Sequence, residues 1–79
     1  MKVCFIGGGN MAAAMIAGMV NHGYEAQDII VFDRNEDKRE NLASRYRVST
    51  SNSLVESIAI ADIIILAVKP QGMIELIRD

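Results

Sequence analysis

Three consecutive glycines near the start of the chain constrain its fold more than any other feature. They occupy positions 7–9, directly after an apolar run at residues 2–6 and directly before an Ala- and Met-rich stretch at residues 10–21. The apolar run is typical of a strand buried on both faces, and the second stretch has a helical composition without proline. The glycines therefore predict a sharp turn from a strand into a helix.

The same alternation recurs in the next part of the chain. A second apolar strand is predicted at residues 29–32, followed by a charged, solvated helix at about residues 36–45. We expect a short third strand around residues 46–49. Ser53 to Glu56 fits a capping box, and it predicts a third helix that carries Leu54, Ile58 and Ala61 on one face.

Residues 63–68 form the strongest predicted strand. They are apolar throughout, which requires cover on both faces of the strand. Alternating strands and helices of this kind predict an α/β fold, a Rossmann-like open parallel sheet with helices on both faces. A length of 79 residues allows one domain at most, and an apolar helical stripe begins at Met73 and Ile74 but is not completed. We therefore expect residues 1–79 to be one Rossmann-type domain of a longer chain.

Composition excludes several classes of function. The net charge of −2 provides no basic field for nucleic acid, and the chain has no Trp and only two Phe and two Tyr on which bases could stack. The longest apolar run is far shorter than the roughly 20 residues of a membrane helix. Cys4 is the only cysteine, so no disulfide or cysteine-rich metal site is expected, and we interpret it as a core residue. The sequence predicts a cytoplasmic protein that binds neither nucleic acid, membrane nor metal.

The glycine run has the spacing of a phosphate-binding loop. In the pattern G-x-G-x-x-A, Gly7 allows a tight bend, Gly9 leaves the backbone without a side chain, and Ala12 lets the helix approach its strand. The free N–H groups and the positive dipole end of the helix would face the phosphates. The loop predicts a dinucleotide pyrophosphate site, with a merely structural turn as the alternative.

Asp33 and Arg34, at the end of the second predicted strand, bear on the type of dinucleotide. Asp33 could bind the 2′-hydroxyl of the adenosine ribose, which favours NAD. Arg34, assisted by Lys38, could instead bind a 2′-phosphate, which favours NADP. A third interpretation is that Asp33 or Asn35 caps the following helix.

Two motifs together resemble a known family. FIGGGNMA at residues 5–12 and AVKPQ at residues 67–71 are similar to the N-terminal domain of pyrroline-5-carboxylate reductase, and the resemblance covers the whole chain. G-x-G-N-M followed by A-V-K-P-Q is more specific than a glycine loop alone. The resemblance implies an oxidoreductase of proline biosynthesis that transfers hydride from NAD(P)H to the cyclic imine 1-pyrroline-5-carboxylate. The product is L-proline, and this chain would be the cofactor-binding domain.

The resemblance also implies which residues bind the cofactor. Arg34 and Asn52 would lie at the adenosine end. The diphosphate would contact Ile6, Gly7, Gly8, Gly9, Asn10 and Met11, and the nicotinamide side would border Ala67, Val68, Lys69 and Pro70. Lys69 follows a strand end, where ligands of open α/β sheets bind, but it is also explained as a solvated charge. We expect NADP, with NAD as the alternative because Asp33 precedes Arg34.

The family's second domain has no counterpart in these residues. That helical domain provides much of the substrate site and the dimer interface, so the catalytic residues are left unassigned and the full-length protein is expected to be a homo-oligomer. The isolated chain is expected to bind a dinucleotide weakly and without turnover. Two alternatives stay open: the cofactor domain of a β-hydroxyacid-type dehydrogenase, and a dinucleotide-binding module without catalysis.

Overall fold

The computed structural model describes residues 1–68 of the chain. Four strands in that part form one sheet: β1 (Val3–Ile6), β2 (Ile29–Phe32), β3 (Ser49–Ser51) and β4 (Ile63–Leu66). All neighbouring pairs are parallel, and the strand order is β3-β2-β1-β4. The predicted open parallel sheet is therefore confirmed.

Three α-helices connect the strands. They are α1 (Asn10–Asn21), α2 (Glu36–Tyr46) and α3 (Leu54–Ile60), and a short 3₁₀ turn at Ala26–Asp28 precedes β2. α1 and α2 contribute to the core on one face of the sheet, and α3 packs against the other face. The helices lie on both faces, as predicted for a Rossmann-like fold.

The core follows from the alternation of side chains along the buried strand β1. Val3 and Phe5 point to the α1 and α2 side, where they join a cluster that includes Ala12, Ile16 and Leu42. The side chains between them point the other way. Cys4 and Ile6 pack with Phe32, and the partly buried Leu54 and Ala61 cover this second cluster. Every residue of β1 is buried, as expected for a central parallel strand.

The register makes the strands end level with one another. Ile6 is paired with Phe32 on one side and with Leu66 on the other, and Phe32 is paired with Ser51. Since the strands are parallel, all four carboxyl ends lie at one edge of the sheet. The segments that follow the four strands therefore start side by side.

The third strand lies further along the chain than predicted. Tyr46 is still the last residue of α2, and Arg47 ends that helix in a left-handed conformation with a φ of 61°. β3 then comprises Ser49–Ser51, in which Ser49 and Thr50 are exposed. Because this strand consists of Ser and Thr residues, it has no apolar pattern from which its position could be predicted.

β4 is shorter and more exposed than predicted. Its apolar run was expected to be covered on both faces, yet Ile63 and Ile64 are each 43% exposed and Leu66 is 54% exposed. β4 pairs only with β1 within residues 1–68. The expected cover on both faces is thus not provided by this part of the chain.

Two methionines of α1 also differ from expectation. Met11, Met15 and Met19 recur at helical spacing in the sequence, and this pattern predicts core residues. Met19 is half-buried against the core, but Met11 and Met15 are exposed. The core-facing positions of α1 are Ala12 and Ile16 instead. The predictions for Lys69, Pro70, Gln71 and the helical stripe from Met73 lie outside the described residues.

Candidate functional site

The structure places the predicted site residues along one edge of the sheet. The glycine loop, residues 7–9, follows β1, and Asp33 and Arg34 follow β2. Asn52 follows β3 on the outer side, whereas residues 67–68 follow β4 on the other. Segments that are distant in sequence are thereby brought to one edge in the order of the strands. Lys69 and Pro70 are outside the described residues.

The glycine loop lies at the point where the strand order changes direction. From β1 the chain proceeds to β2 and β3 on one side of the sheet and then crosses to β4 on the other side. Crossovers that leave a strand in opposite directions open a crevice above its carboxyl end, and open α/β sheets bind ligands there. The loop after β1 is therefore at the position where a ligand is expected.

Gly7 is required by the turn itself. Its φ is 109°, a backbone conformation that residues with a side chain rarely adopt. Its N–H donates to the Phe32 carbonyl at 2.8 Å. A Cβ at this position would lie 2.7 Å from the Ala67 carbonyl oxygen and 2.6 Å from Val68 Cγ1. The tight bend that the sequence predicts at the first glycine is thus present.

Gly9 has the opposite surroundings. It precedes α1 as its N-cap with a φ of −83°, which any residue can adopt. Apart from its chain neighbours, no atom of the described residues lies within 4 Å of the place that a Cβ would occupy. No neighbouring protein atom explains the absence of a side chain here, and the space in front of α1 is open to a ligand.

The N-terminus of α1 differs from those of the other two helices. Asn35 caps α2 by accepting from the Lys38 N–H at 3.1 Å, and Ser53 caps α3 by accepting from the Glu56 N–H at 3.3 Å. Both helices also carry acidic residues in their first turn, whereas α1 has neither a side-chain cap nor an acid there. The N–H groups and the dipole of α1 are left to be satisfied by an external anion or by solvent.

The Asp33 carboxylate connects the glycine loop to the turn after β2. One oxygen, Oδ2, accepts from the Gly8 N–H at 2.8 Å, and the other, Oδ1, accepts from the Asn35 N–H at 2.8 Å. Asp33 does not cap α2, since Asn35 does so. The bond also occupies the Gly8 N–H, so the amides available to a phosphate are those that follow it.

Three positively charged residues follow the end of β2 in the sequence. Arg34 and Lys38 are exposed, as binding to a ligand at the surface requires. Arg39 is half-buried, and its Nη1 donates to the Asp33 carbonyl at 2.8 Å. Sequence reasoning missed Arg39 because it lies within a run of charges typical of a solvated helix face. Asn52 is exposed at the end of β3.

Cys4 lies away from this edge, in the core beneath α3. It is fully buried, and burial raises the pKa of its thiol. Residues 1–68 contain no group of three His, Cys, Asp or Glu side chains placed to hold a metal ion. None of the helices in this part of the chain is long and apolar enough to cross a membrane.

Comparison with known proteins agrees with this geometry. The model of a family described as "NADP oxidoreductase coenzyme F420-dependent" matches residues 2–79. A pyrroline-5-carboxylate reductase of Haemophilus influenzae is 50% identical over 74 residues, covering 94% of this chain and 27% of the relative. One from Vibrio alginolyticus is 35% identical over 77 residues, covering 98% of this chain and 28% of the relative.

A solved structure shows the same likeness in three dimensions. The pyrroline-5-carboxylate reductase of Coxiella burnetii superimposes with a TM-score of 0.86 at 35% identity, over 91% of this chain and 27% of that protein. The predicted resemblance to pyrroline-5-carboxylate reductases is confirmed by these relatives. The chain spans little more than a quarter of the length of each of them.

Proposed function

The chain belongs to the oxidoreductase family described as "NADP oxidoreductase coenzyme F420-dependent", and from that membership we propose that it is the dinucleotide-binding domain of a pyrroline-5-carboxylate reductase. The larger two-domain protein would reduce the C=N bond of 1-pyrroline-5-carboxylate to give L-proline. Relatives of that name, up to 50% identical to this chain, support this substrate over a β-hydroxyacid.

The open space at Gly9, in front of the uncapped N-terminus of α1, carries the proposal. A diphosphate placed there would accept hydrogen bonds from the N–H groups of Gly9, Asn10 and Met11 and would lie at the positive end of the helix dipole. Gly7 would hold the turn, and Gly8 would hold the loop to Asp33. Ile6, the last residue of β1, would lie beneath the diphosphate.

The strand order supports a proposed position for each end of the ligand. The adenosine end would lie over β2 and β3, beside Asp33, Arg34 and Asn52. The nicotinamide end would lie over β4, beside Ala67 and Val68, and from the resemblance also beside Lys69 and Pro70. When bound, the reduced dinucleotide supplies the hydride, while this chain binds and orients it.

NADP is the proposed cofactor, with NAD as the alternative. Arg34 and Lys38 are two exposed cations close to the end of β2, and a 2′-phosphate would be a suitable partner for them. Asp33 opposes this preference by its charge, but its two oxygens are already bound to backbone N–H groups. The homo-oligomeric assembly and the cytoplasmic location stay predictions.

Two measurements test the proposed function. The first is calorimetric titration of the chain with NADPH, NADH and ADP-ribose, for which we expect binding of all three. The second is oxidation of NADPH by the full-length protein, expected only when 1-pyrroline-5-carboxylate is present. Absence of binding at millimolar ligand would overturn the cofactor site. Oxidation of NADPH with the carbonyl compound that corresponds to a β-hydroxyacid would favour the dehydrogenase alternative. No oxidation with either substrate would favour a dinucleotide-binding module without catalysis.

A further inference from the structure

Asp33 has a hydrogen-bond partner at each of its polar groups. Its N–H donates to the Ser51 carbonyl at 3.3 Å, and its own carbonyl accepts from Arg39 Nη1 at 2.8 Å. The two carboxylate oxygens accept from the N–H groups of Gly8 and Asn35, each at 2.8 Å. This one residue therefore connects the loop after β1, the end of β3 and the first turns of α2.

The bond between the Gly8 N–H and the Asp33 carboxylate restricts the conformation of the glycine loop. It is a charge-assisted bond in a partly buried position, and it joins residues 25 apart in the sequence. The Cα of Gly8 also faces the core, since a Cβ there would meet Val31 Cγ1 at 3.3 Å and Leu42 Cδ1 at 3.4 Å. Gly8 is thus held by the core on one side and by Asp33 on another. The amides that would meet a diphosphate begin at the next residue, Gly9.

We propose that Asp33 is a positioning residue for the glycine loop: its carboxylate holds the loop in the conformation that accepts a diphosphate, and this effect does not depend on a contact with the ribose. The role rests on the proposed function, because it assumes a dinucleotide ligand. It assigns to Asp33 an influence on the diphosphate part of the site, whereas a ribose contact would influence only the adenosine end.

Titration with two ligands distinguishes the positioning role of Asp33 from a ribose contact. Asp33→Asn replaces one of the two acceptor oxygens by an NH₂ group, so one backbone N–H loses its partner. Titrations would use NADH and the NADH analogue whose adenosine carries a 2′-deoxyribose. We expect the variant to weaken the binding of both ligands by a similar factor, roughly tenfold. A loss confined to NADH, with the deoxy analogue unaffected, would overturn the proposal in favour of a ribose contact.

Asp37→Asn is the matched control. Asp37 is an exposed acid in the first turn of α2, and the substitution makes the same change of charge and shape. We expect both ligands to bind this variant within about twofold of the unmodified protein, since one exposed charge contributes little. An equal loss in the two variants would mean that net charge, and not the bond to Gly8, sets the affinity.

Hydrogen exchange at the Gly8 amide tests the positioning role without any ligand. Asp33→Ala removes both acceptor oxygens, and in this variant we expect the Gly8 amide to exchange at least about tenfold faster, with the amides of Phe5 and Val31 in the core unchanged. Unchanged exchange at Gly8 would overturn the proposal. If the unmodified protein bound no dinucleotide, the proposed function would fail while the exchange rate still decided what Asp33 does to the loop.

Discussion

The Cα of Gly7 faces the carbonyl group of Ala67 so closely that a side chain cannot be inserted between them. A Cβ on Gly7 would lie 2.7 Å from the Ala67 oxygen, and the Ala67 N–H in turn donates to the Ile6 carbonyl at 2.8 Å. The turn after β1 and the segment after β4 are therefore in direct backbone contact. This contact joins the diphosphate part of the proposed site to its nicotinamide part.

Substitution of Gly7 by alanine should destabilise the protein strongly. Gly7→Ala combines an unfavourable φ of 109° with a clash against backbone atoms, which together should lower the free energy of unfolding by at least about 2 kcal/mol. Gly18→Ala is the control, because Gly18 is exposed within α1. Apart from its chain neighbours and its own helix backbone, no atom of residues 1–68 lies within 4 Å of the place that a Cβ would occupy. That change should raise stability by about 0.5–1 kcal/mol. Urea denaturation measures both, and equal stabilities would contradict the described contact.

Substitution of Gly9 should separate folding from binding. Apart from its chain neighbours, Gly9→Ala meets no atom of the described part of the chain, and it needs no unusual φ. Its cost should therefore be limited to about 1 kcal/mol for the poorer N-cap. The added methyl group would occupy the space assigned to the diphosphate. We expect dinucleotide affinity to fall at least tenfold by calorimetric titration, while Gly18→Ala binds normally. Full affinity in Gly9→Ala would place the ligand elsewhere.

Arg34 should determine the preference between the two cofactors. In Arg34→Gln we expect the dissociation constant of NADPH to rise by about tenfold, since a charge-assisted contact to the 2′-phosphate is lost. The constant for NADH should stay within about twofold. Arg45→Gln, at an exposed position in the last turn of α2 with its guanidinium over the Tyr46 ring, is the control. Equal losses for NADPH and NADH would exclude a 2′-phosphate contact.

The Cys4 thiol should be inert in the folded protein. It is fully buried, and burial raises its pKa, so the reactive thiolate is disfavoured at neutral pH. A thiol reagent should label Cys4 only after denaturation, and labelling of the folded protein at the rate of the unfolded one would contradict the burial.

The raised pKa also predicts a dependence of stability on pH. The folded thiol keeps its proton to higher pH than the unfolded thiol, which ionises near pH 8.5. Its contribution to stability is therefore complete below that pH and is lost as the pH rises through the folded-state pKa. The free energy of unfolding should fall more steeply above pH 8.5 in the unmodified protein than in Cys4→Ala. Parallel pH profiles would show that Cys4 does not contribute.

The apolar elements of the fold could be predicted because buried positions are occupied by apolar residues in a regular pattern along the sequence. β1 and β2 are short apolar runs that end in glycine or polar residues, and both were found at the expected positions. The predicted position of β3 was wrong because a polar strand at the sheet edge has no such pattern of apolar residues. Met11 and Met15 were wrongly placed in the core because their spacing alone does not tell which face of α1 meets the sheet.

The candidate site was predictable only in its local part. The spacing of Gly7, Gly9 and Ala12 indicates a tight bend, a backbone without a side chain and a helix close to its strand. Each of these features depends only on residues that are neighbours in the sequence. The bond from Gly8 to Asp33 joins two segments that follow different strands and lie 25 residues apart, so no local pattern encodes it. Arg39 was missed for a different reason: its partner, six residues earlier, is a backbone carbonyl, and the sequence does not show which long donor on that helix face binds it.

The level ends of the four strands restrict the shape of whatever binds there. With neighbouring strands about 4.8 Å apart, three spacings make a ledge of about 14 Å from the end of β3 to the end of β4. The segments that follow the four strands start along this ledge. A compact, rounded molecule could touch only one or two of them. Only an elongated molecule lying across the strand direction reaches all four, with its two ends in chemically different surroundings.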